Sequence, residues 1–178
     1  NPTASAGKPT RFLLPIQSTD EMVDVGDAAP DFTAPLANGD VGEFTLSLRL
    51  DEAPIVLAFF PAAFTEGCSQ EMEAFQSRLD RFDELDATVY GVSVDSPFSL
   101  NEFRDQLGLE FDLISDANRE VISAYDVSID FEPIGVRNIA DRAVFVIDGD
   151  GEVVYRWVAE NPTYQPDYEA VEAAAAEA

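Results

Sequence analysis

Hydrophobic and polar positions alternate along this chain with two different periods. Ile55 to Phe60 is an unbroken apolar run, the pattern of a strand covered on both faces, which predicts a strand over 54–60. Pro61 ends it. Beyond the turn, Met72, Phe75, Leu79 and Phe82 recur at spacings of three and four, predicting an amphipathic helix over 65–83. A strand over 87–94, with Val89, Val92 and Val94 inward, completes a βαβ unit. Ser96-Pro97 then opens a second helix carrying Leu100, Phe103 and Leu107 on one face, and Gly108 stops it. Phe111 to Ile114 reads as a short strand and 118–125 as a helical piece. The stretch 126–139, with Pro133 and Gly135, reads as irregular. Arg142 to Ile147 and Glu152 to Val158 are strands joined by the turn Asp148-Gly149-Asp150-Gly151, and the Ala- and Glu-rich Tyr168 to Ala178 closes the chain as a helix.

Upstream, Ala37-Asn38-Gly39-Asp40 turns Phe32-Thr33-Ala34 back onto Glu43-Phe44-Thr45-Leu46, a hairpin placed before the main sheet. Residues 1–21 start with Asn rather than Met, have no apolar signal-peptide core and precede Met22. They are expected to be a flexible or added extension to a single domain over 22–178. The element order gives a sheet with a parallel half and an antiparallel half. The expected class is therefore α/β, a central mixed sheet flanked by helices in the order of a thioredoxin-like fold, with an N-terminal β-hairpin.

Composition narrows the function. At 178 residues and 46% hydrophobic content the chain can build one core. Charge is the outlier: 35 acidic against 10 basic residues give −25, and all the cations except Lys8 are arginines. Such a surface repels phosphate backbones and anionic headgroups, which excludes nucleic-acid and membrane partners. Self-repulsion of this size suits concentrated salt, where the screening length falls to about 3 Å at molar strength, so a halophilic source is expected. Periodicity argues against charge-driven disorder. With one cysteine there can be no internal disulfide, and with no C-x-x-C or Cys/His cluster neither metal nor cofactor is expected. A reducing, cytoplasmic compartment is the expectation. The longest apolar run, 53–64, falls short of the roughly 20 residues a membrane-spanning helix needs. Asp148-x-Asp150 is read as a turn rather than a calcium loop.

The single cysteine, Cys68, carries the candidate chemistry. A lone cysteine is commonly a small buried hydrophobe. Its place reverses that expectation. With Thr65 as N-cap, Cys68 is the third residue of the helix, the position whose amide a capping hydroxyl accepts from. Unpaired amides and the positive end of the dipole there favour a thiolate. Bringing a cysteine in general from about 8.5 to about 6 takes roughly 3.4 kcal/mol, whereas a helix terminus supplies about 0.3 to 1 and at most about 2. A cation is needed, the more so because Glu66 and Glu71 act against it. The chain has no histidine and Lys8 lies in the extension, which leaves the arginines. Arg78 and Arg81 lie on the cysteine's own helix, roughly 15 to 20 Å away at 1.5 Å per residue. Arg104 belongs to the second helix and Arg156 follows the last turn. Arg142, beside Asp141 at the mouth of a core strand, can reach the sheet end where the helix starts; Arg119 and Arg137 are second choices, and a surface ion pair is the plain alternative for Arg142.

Three stretches carry a resemblance. Pro61, Thr65 and Cys68 spell P-x-x-x-T-x-x-C within FFPAAFTEGC, preceded by VGDAAPDFTAP at 25–35 and followed by DRAVFVID at 141–148. Together, over residues 22–178, they resemble the peroxiredoxins, the alkyl hydroperoxide reductase and thiol-specific antioxidant family. The resemblance implies a thioredoxin-like fold and a thiol peroxidase. Cys68 would attack the distal oxygen of hydrogen peroxide or an organic hydroperoxide, giving water or an alcohol and a sulfenic acid. By the same resemblance, Thr65 bonds peroxide and sulfur, Pro61 shields the thiolate from water, and Arg142 is the essential arginine. Glu71 completes a Cys-x-x-Glu that in the family orients the arginine; on this acidic chain a solvated glutamate is the alternative. The resemblance is to the one-cysteine type, so an external thiol must regenerate Cys68, whether a low-molecular-weight thiol, thioredoxin or a glutaredoxin-like protein. A homodimer or larger homo-oligomer is the family expectation. The competing reading is a non-enzymatic thioredoxin-like redox-sensing or binding module acting through a mixed disulfide. A C-x-x-C disulfide reductase is excluded, because Glu71 stands where its second cysteine would be.

Overall fold

The computed structural model describes residues 23–178; the extension expected over 1–21 lies outside the described residues. The expected N-terminal hairpin is present as β1 (Thr33–Ala37) and β2 (Val41–Thr45), paired antiparallel with Ala37 opposite Val41. It does not stand apart from the main sheet: Leu36 and Ala37 pair with the strand at Leu113–Ser115, so the hairpin forms one edge of that sheet.

The apolar run becomes β3 (Ile55–Phe59), every residue of which is buried. Alternation serves both faces, with Ile55, Leu57 and Phe59 entering one core cluster and Val56, Ala58 and Phe60 the other. The long helix expected over 65–83 is two helices, α1 (Glu66–Ser77) and α2 (Leu79–Glu84). Arg78 lies between them with φ −106° and ψ 4°, and its guanidinium bridges to Glu172 at 2.8 Å and lies over the Tyr168 ring. Leu79 and Phe82 keep the helical spacing across the break, so the apolar pattern shows no interruption.

The sheet then gains β4 (Thr88–Ser93), followed by α3 (Pro97–Leu107), β5 (Leu113–Ser115) and α4 (Glu120–Ala124). Ser96 caps α3 through Ser99 N, and Gly108 ends it in the left-handed conformation at φ 62°. The stretch expected to be irregular is instead a second sheet, a hairpin of β6 (Ser128–Phe131) and β7 (Val136–Ala140). Pro133 and Gly135, the residues that read as loop, occupy only its turn, where Gly135 has φ 68°. Finally β8 (Ala143–Ile147), β9 (Val153–Val158) and α5 (Tyr168–Glu177) close the chain.

The main sheet runs β2-β1-β5-β4-β3-β8-β9, with β3, β4 and β5 parallel and the remaining pairings antiparallel. Helices α1, α2, α3 and α5 pack on one face through Met72, Phe75, Phe82, Leu100, Phe103 and Val171. On the other face lie α4, through Val121 and Ile122, and the segment carrying Val23 and Phe32. No helix among the described residues is long and apolar enough to cross a membrane.

Two features of this sheet place the site. Strand β8 lies antiparallel beside β3 with Ala143 opposite Phe59, so the residue before β8 comes to the end of β3 from which the chain enters α1. Gly91 in β4 lets α1 lie close: a Cβ there would stand 2.6 Å from Leu113 Cδ2, 3.0 Å from Met72 Sδ and 3.2 Å from Phe60 Cε1. Gly91→Ala is therefore expected to lower unfolding stability in urea by about 1 to 3 kcal/mol, the usual cost of overpacking; an unchanged midpoint would show that the Leu113, Met72 and Phe60 side chains give way at no cost.

Candidate active site

Pro61 to Phe64 links β3 to α1 in a tight loop. Phe64 adopts φ 68°, a region costly for a residue with a Cβ, and its ring meets Phe103 edge-on at 5.3 Å. Asp95 fixes the loop from the end of β4, its Oδ2 accepting from the Ala63 amide at 2.9 Å and the Ser93 hydroxyl at 2.7 Å. Nothing in the sequence pattern had marked Asp95.

Thr65 is the N-cap residue, as expected, with extended backbone (φ −83°, ψ 152°) and its carbonyl accepting from Ser69 N. Its side chain departs from the expectation. The hydroxyl donates to the Ala62 carbonyl at 2.8 Å and accepts no bond from the Cys68 amide. The reason is local: the strained Pro61–Phe64 loop brings the Ala62 carbonyl within reach, and a hydroxyl has only one proton to give. The oxygen's lone pairs and the first-turn amides are thereby left without a side-chain cap at the very end of the helix that attracts negative charge.

Cys68, in that first turn, is 1% exposed and sits in the apolar cluster with Met72 and Phe75. It nevertheless has a cationic neighbour. Arg142, 3% exposed, aims its whole guanidinium at this point: Nη2 donates to Cys68 Sγ at 3.5 Å, Nη1 to Glu71 Oε2, and Nε to the Pro162 carbonyl at 2.9 Å. An arginine is suited to this position because its planar fork serves three acceptors at once and stays charged when buried. Arg119 and Arg137, the second choices, belong elsewhere; Arg119 donates to the Asn138 carbonyl and Arg137 is exposed on β7. The plain alternative of a surface ion pair does not describe Arg142.

Glu71 is the residue that the sequence left open between a solvated carboxylate and a partner of the arginine. It is fully buried, bridged to Arg142, and its Oε1 has no hydrogen-bond partner. Burial pushes its carboxyl up to about 7, with the attraction of Arg142 holding the rise in check. For Arg142 burial acts downward, but Glu71 and Cys68 more than offset it and leave the guanidinium above its ordinary range.

Two further contacts come from the loop before α5, which the motifs did not single out. Gln165 Nε2 donates to the Gly67 carbonyl at 3.0 Å and its Oε1 accepts from Tyr168 Oη at 2.8 Å, tying α5 to the first turn of α1. Gly67 itself matters for close approach, since a Cβ there would come within 3.2 Å of Arg142 Nη2. Above the sulfur opens a pocket of about 400 Å³ bordered by Pro61, Thr65, Cys68, Arg142 and Gln165, so all four residues singled out by the motifs share one cavity. The arrangement is a reduced sulfur with a fixed positive charge beside it, a hydroxyl nearby and a concave approach.

The sequence matches the AhpC/TSA family over residues 25–156. The chain belongs to this family, the peroxiredoxins. It is 38% identical over 144 residues to a chloroplastic 2-cysteine peroxiredoxin of Chattonella marina var. antiqua, covering 76% of this chain and 71% of that protein. It is 37% identical over 132 residues to a peroxiredoxin of Mycobacterium tuberculosis, covering 72% and 81%. The crystal structure of the peroxidoxin BcpB from Mycobacterium tuberculosis superposes with a TM-score of 0.74 at 31% identity, covering 88% of this peroxiredoxin and 96% of that chain.

The Glu71 environment fixes the sign of a pH effect. A carboxyl whose folded value is raised from 4.5 to about 7 contributes stability that is fully present below about 4.5 and is lost as pH rises through about 7. Relative to Glu71→Gln, the parent should lose on the order of 3 kcal/mol across that window in urea titrations. A parallel pH dependence of the two proteins would show that Glu71 titrates like an exposed carboxyl.

Proposed function

We propose that this chain is a thiol peroxidase in which Cys68 reduces hydroperoxides, and the single observation that carries this reading is the Arg142 guanidinium within 3.5 Å of the sole cysteine's sulfur. A thiolate there attacks the terminal oxygen of the peroxide. The S–O bond forms as the O–O bond breaks, the electron pair leaves with the second oxygen, and that oxygen takes a proton to depart as water or alcohol. Arg142 stabilises both the sulfur anion before attack and the charge that moves onto the leaving oxygen. Thr65, whose hydroxyl proton is committed to Ala62, offers lone pairs to the peroxide's own proton. Pro61 closes the pocket wall against water, which keeps these electrostatic terms strong.

The sulfenic acid has no second cysteine in the chain to meet it. An external thiol condenses with it, releasing water and leaving a mixed disulfide that a second thiol reduces. A low-molecular-weight thiol, thioredoxin or a glutaredoxin-like protein would each satisfy this chemistry. A reducing cytoplasm belongs to the same proposal, as does a homodimer or larger homo-oligomer, for which support comes from Phe64 in the loop before α1 and Phe98 in the first turn of α3, 51% and 75% exposed. A purely redox-sensing module has less support, because a sensor need not keep Pro61, Thr65 and Arg142 together around one sulfur, and here all three border the pocket over Cys68.

One equivalent of hydrogen peroxide should add a single oxygen to Cys68, seen by mass spectrometry with a sulfenate trap, and peroxide consumption with excess thiol should vanish in Cys68→Ser. Oxidation no faster than that of free cysteine would refute the enzyme and favour the sensor.

A further inference from the structure

The pocket over Cys68 needs more explanation than the reaction provides. Its polar groups cluster at the sulfur, but much of its remaining lining is hydrocarbon contributed by the β6–β7 hairpin: Ile129 and Phe131 from β6, Ile134 from the turn and Ile139 from β7. Ile129 and Phe131 are two apart on a strand and so share a face, while the intervening Asp130 is exposed and accepts from Asn138 N. None of the four belongs to either core cluster of the main sheet. Ile139 is buried, but Ile134 is 64% exposed and Ile129 and Phe131 are half-buried, so the core does not account for the apolar character of these three. Apolar side chains that border a concavity and fill no core are a binding surface for something apolar.

Hydrogen peroxide has nothing to lay against such a wall. An organic hydroperoxide does, once its terminal oxygen is at the sulfur. The charges restrict which kind. Glu66 lines the pocket and is exposed, Asp130 and Glu132 flank the hairpin, and Arg142 is already paired with Glu71 and the sulfur in a chain of net charge −25.

We propose that the β6–β7 hairpin is the subsite for the organic substituent of uncharged, apolar hydroperoxides, with Phe131 and Ile134 setting the preference for them over hydrogen peroxide. This rests on the peroxidase reading and adds specificity to it. The step is unchanged: Cys68 sulfur takes the terminal oxygen and is oxidised by two electrons, the O–O bond breaks, and the alkoxide takes a proton and leaves as the alcohol.

Stopped-flow oxidation of the full chain by cumene hydroperoxide and by hydrogen peroxide tests it through the ratio of the two rate constants, which does not depend on the fraction of folded protein. In Phe131→Ser/Ile134→Ser the ratio should fall about tenfold, the size expected when a hydrophobic subsite is lost. Ile134→Ser alone, at a side chain too exposed to unfold the protein, should lower it about threefold. Ratios within a factor of 1.5 or so of the parent in both variants would overturn the subsite while leaving the peroxidase intact; slow oxidation of the parent by both peroxides would remove the peroxidase and the subsite together. The methyl ester of a fatty-acid hydroperoxide should oxidise Cys68 at least about threefold faster than the free acid at low ionic strength, the gap closing in molar salt. A free acid equal to its ester at low salt would overturn the discrimination against charge.

Discussion

The site depends on one buried guanidinium. Arg142 is almost without solvent contact, and each of its donor edges is assigned: one to the Cys68 sulfur, one to Glu71 and one to the Pro162 carbonyl. A buried charge is costly unless paired and hydrogen-bonded, and removing either partner leaves the other exposed to that cost. A helix terminus in general contributes at most about 2 kcal/mol toward a negative charge, and Glu66 in the same first turn carries charge of the wrong sign. In the proposed reaction the arginine therefore supplies the charge that the helix end lacks, and the surrounding fold holds it in place.

That arrangement comes from topology. The antiparallel pairing of β8 with β3 brings a residue 74 positions away in sequence to the start of α1. Gly91 allows α1 to lie close to the sheet, and Gly67 leaves room for the guanidinium over the helix's first turn. Strain at Phe64, held by Asp95 and the contact with Phe103, re-aims the chain between strand and helix. Glu71 carries its own cost, shown by an unpartnered buried oxygen and a carboxyl raised toward neutrality, and the benefit is a guanidinium with one orientation.

What the sequence made legible was whatever depends on local pattern. The apolar run at 55–60, the capped and Gly-terminated α3, the turn at Asp148–Gly151 and the spacing of Pro61, Thr65 and Cys68 are all periodic or turn signals with a direct physical meaning. Arg142 could be reached from its place at the mouth of a core strand, together with the resemblance of DRAVFVID at 141–148 to the family's arginine-bearing strand. What escaped depended on partners distant in sequence. The break at Arg78 is invisible because Leu79 and Phe82 continue the helical spacing, while the Glu172 and Tyr168 that meet Arg78 are on α5. The β6–β7 hairpin was hidden by Pro133 and Gly135, which are turn residues between two short strands. Whether Glu71 is solvated or buried, and which way the Thr65 hydroxyl points, are decided by tertiary packing alone.

The chain's heavy negative charge makes the need for a fixed local cation sharper, since the long-range field opposes any anion at the sulfur. The most direct measurement is the second-order rate of Cys68 oxidation by hydrogen peroxide in Arg142→Met against the parent, with folding checked by circular dichroism. A fall of at least about a hundredfold is expected when a preorganised donor to developing charge is removed. A rate within threefold of the parent in a folded variant would contradict the account, because the sulfur would then be reactive without the charge beside it.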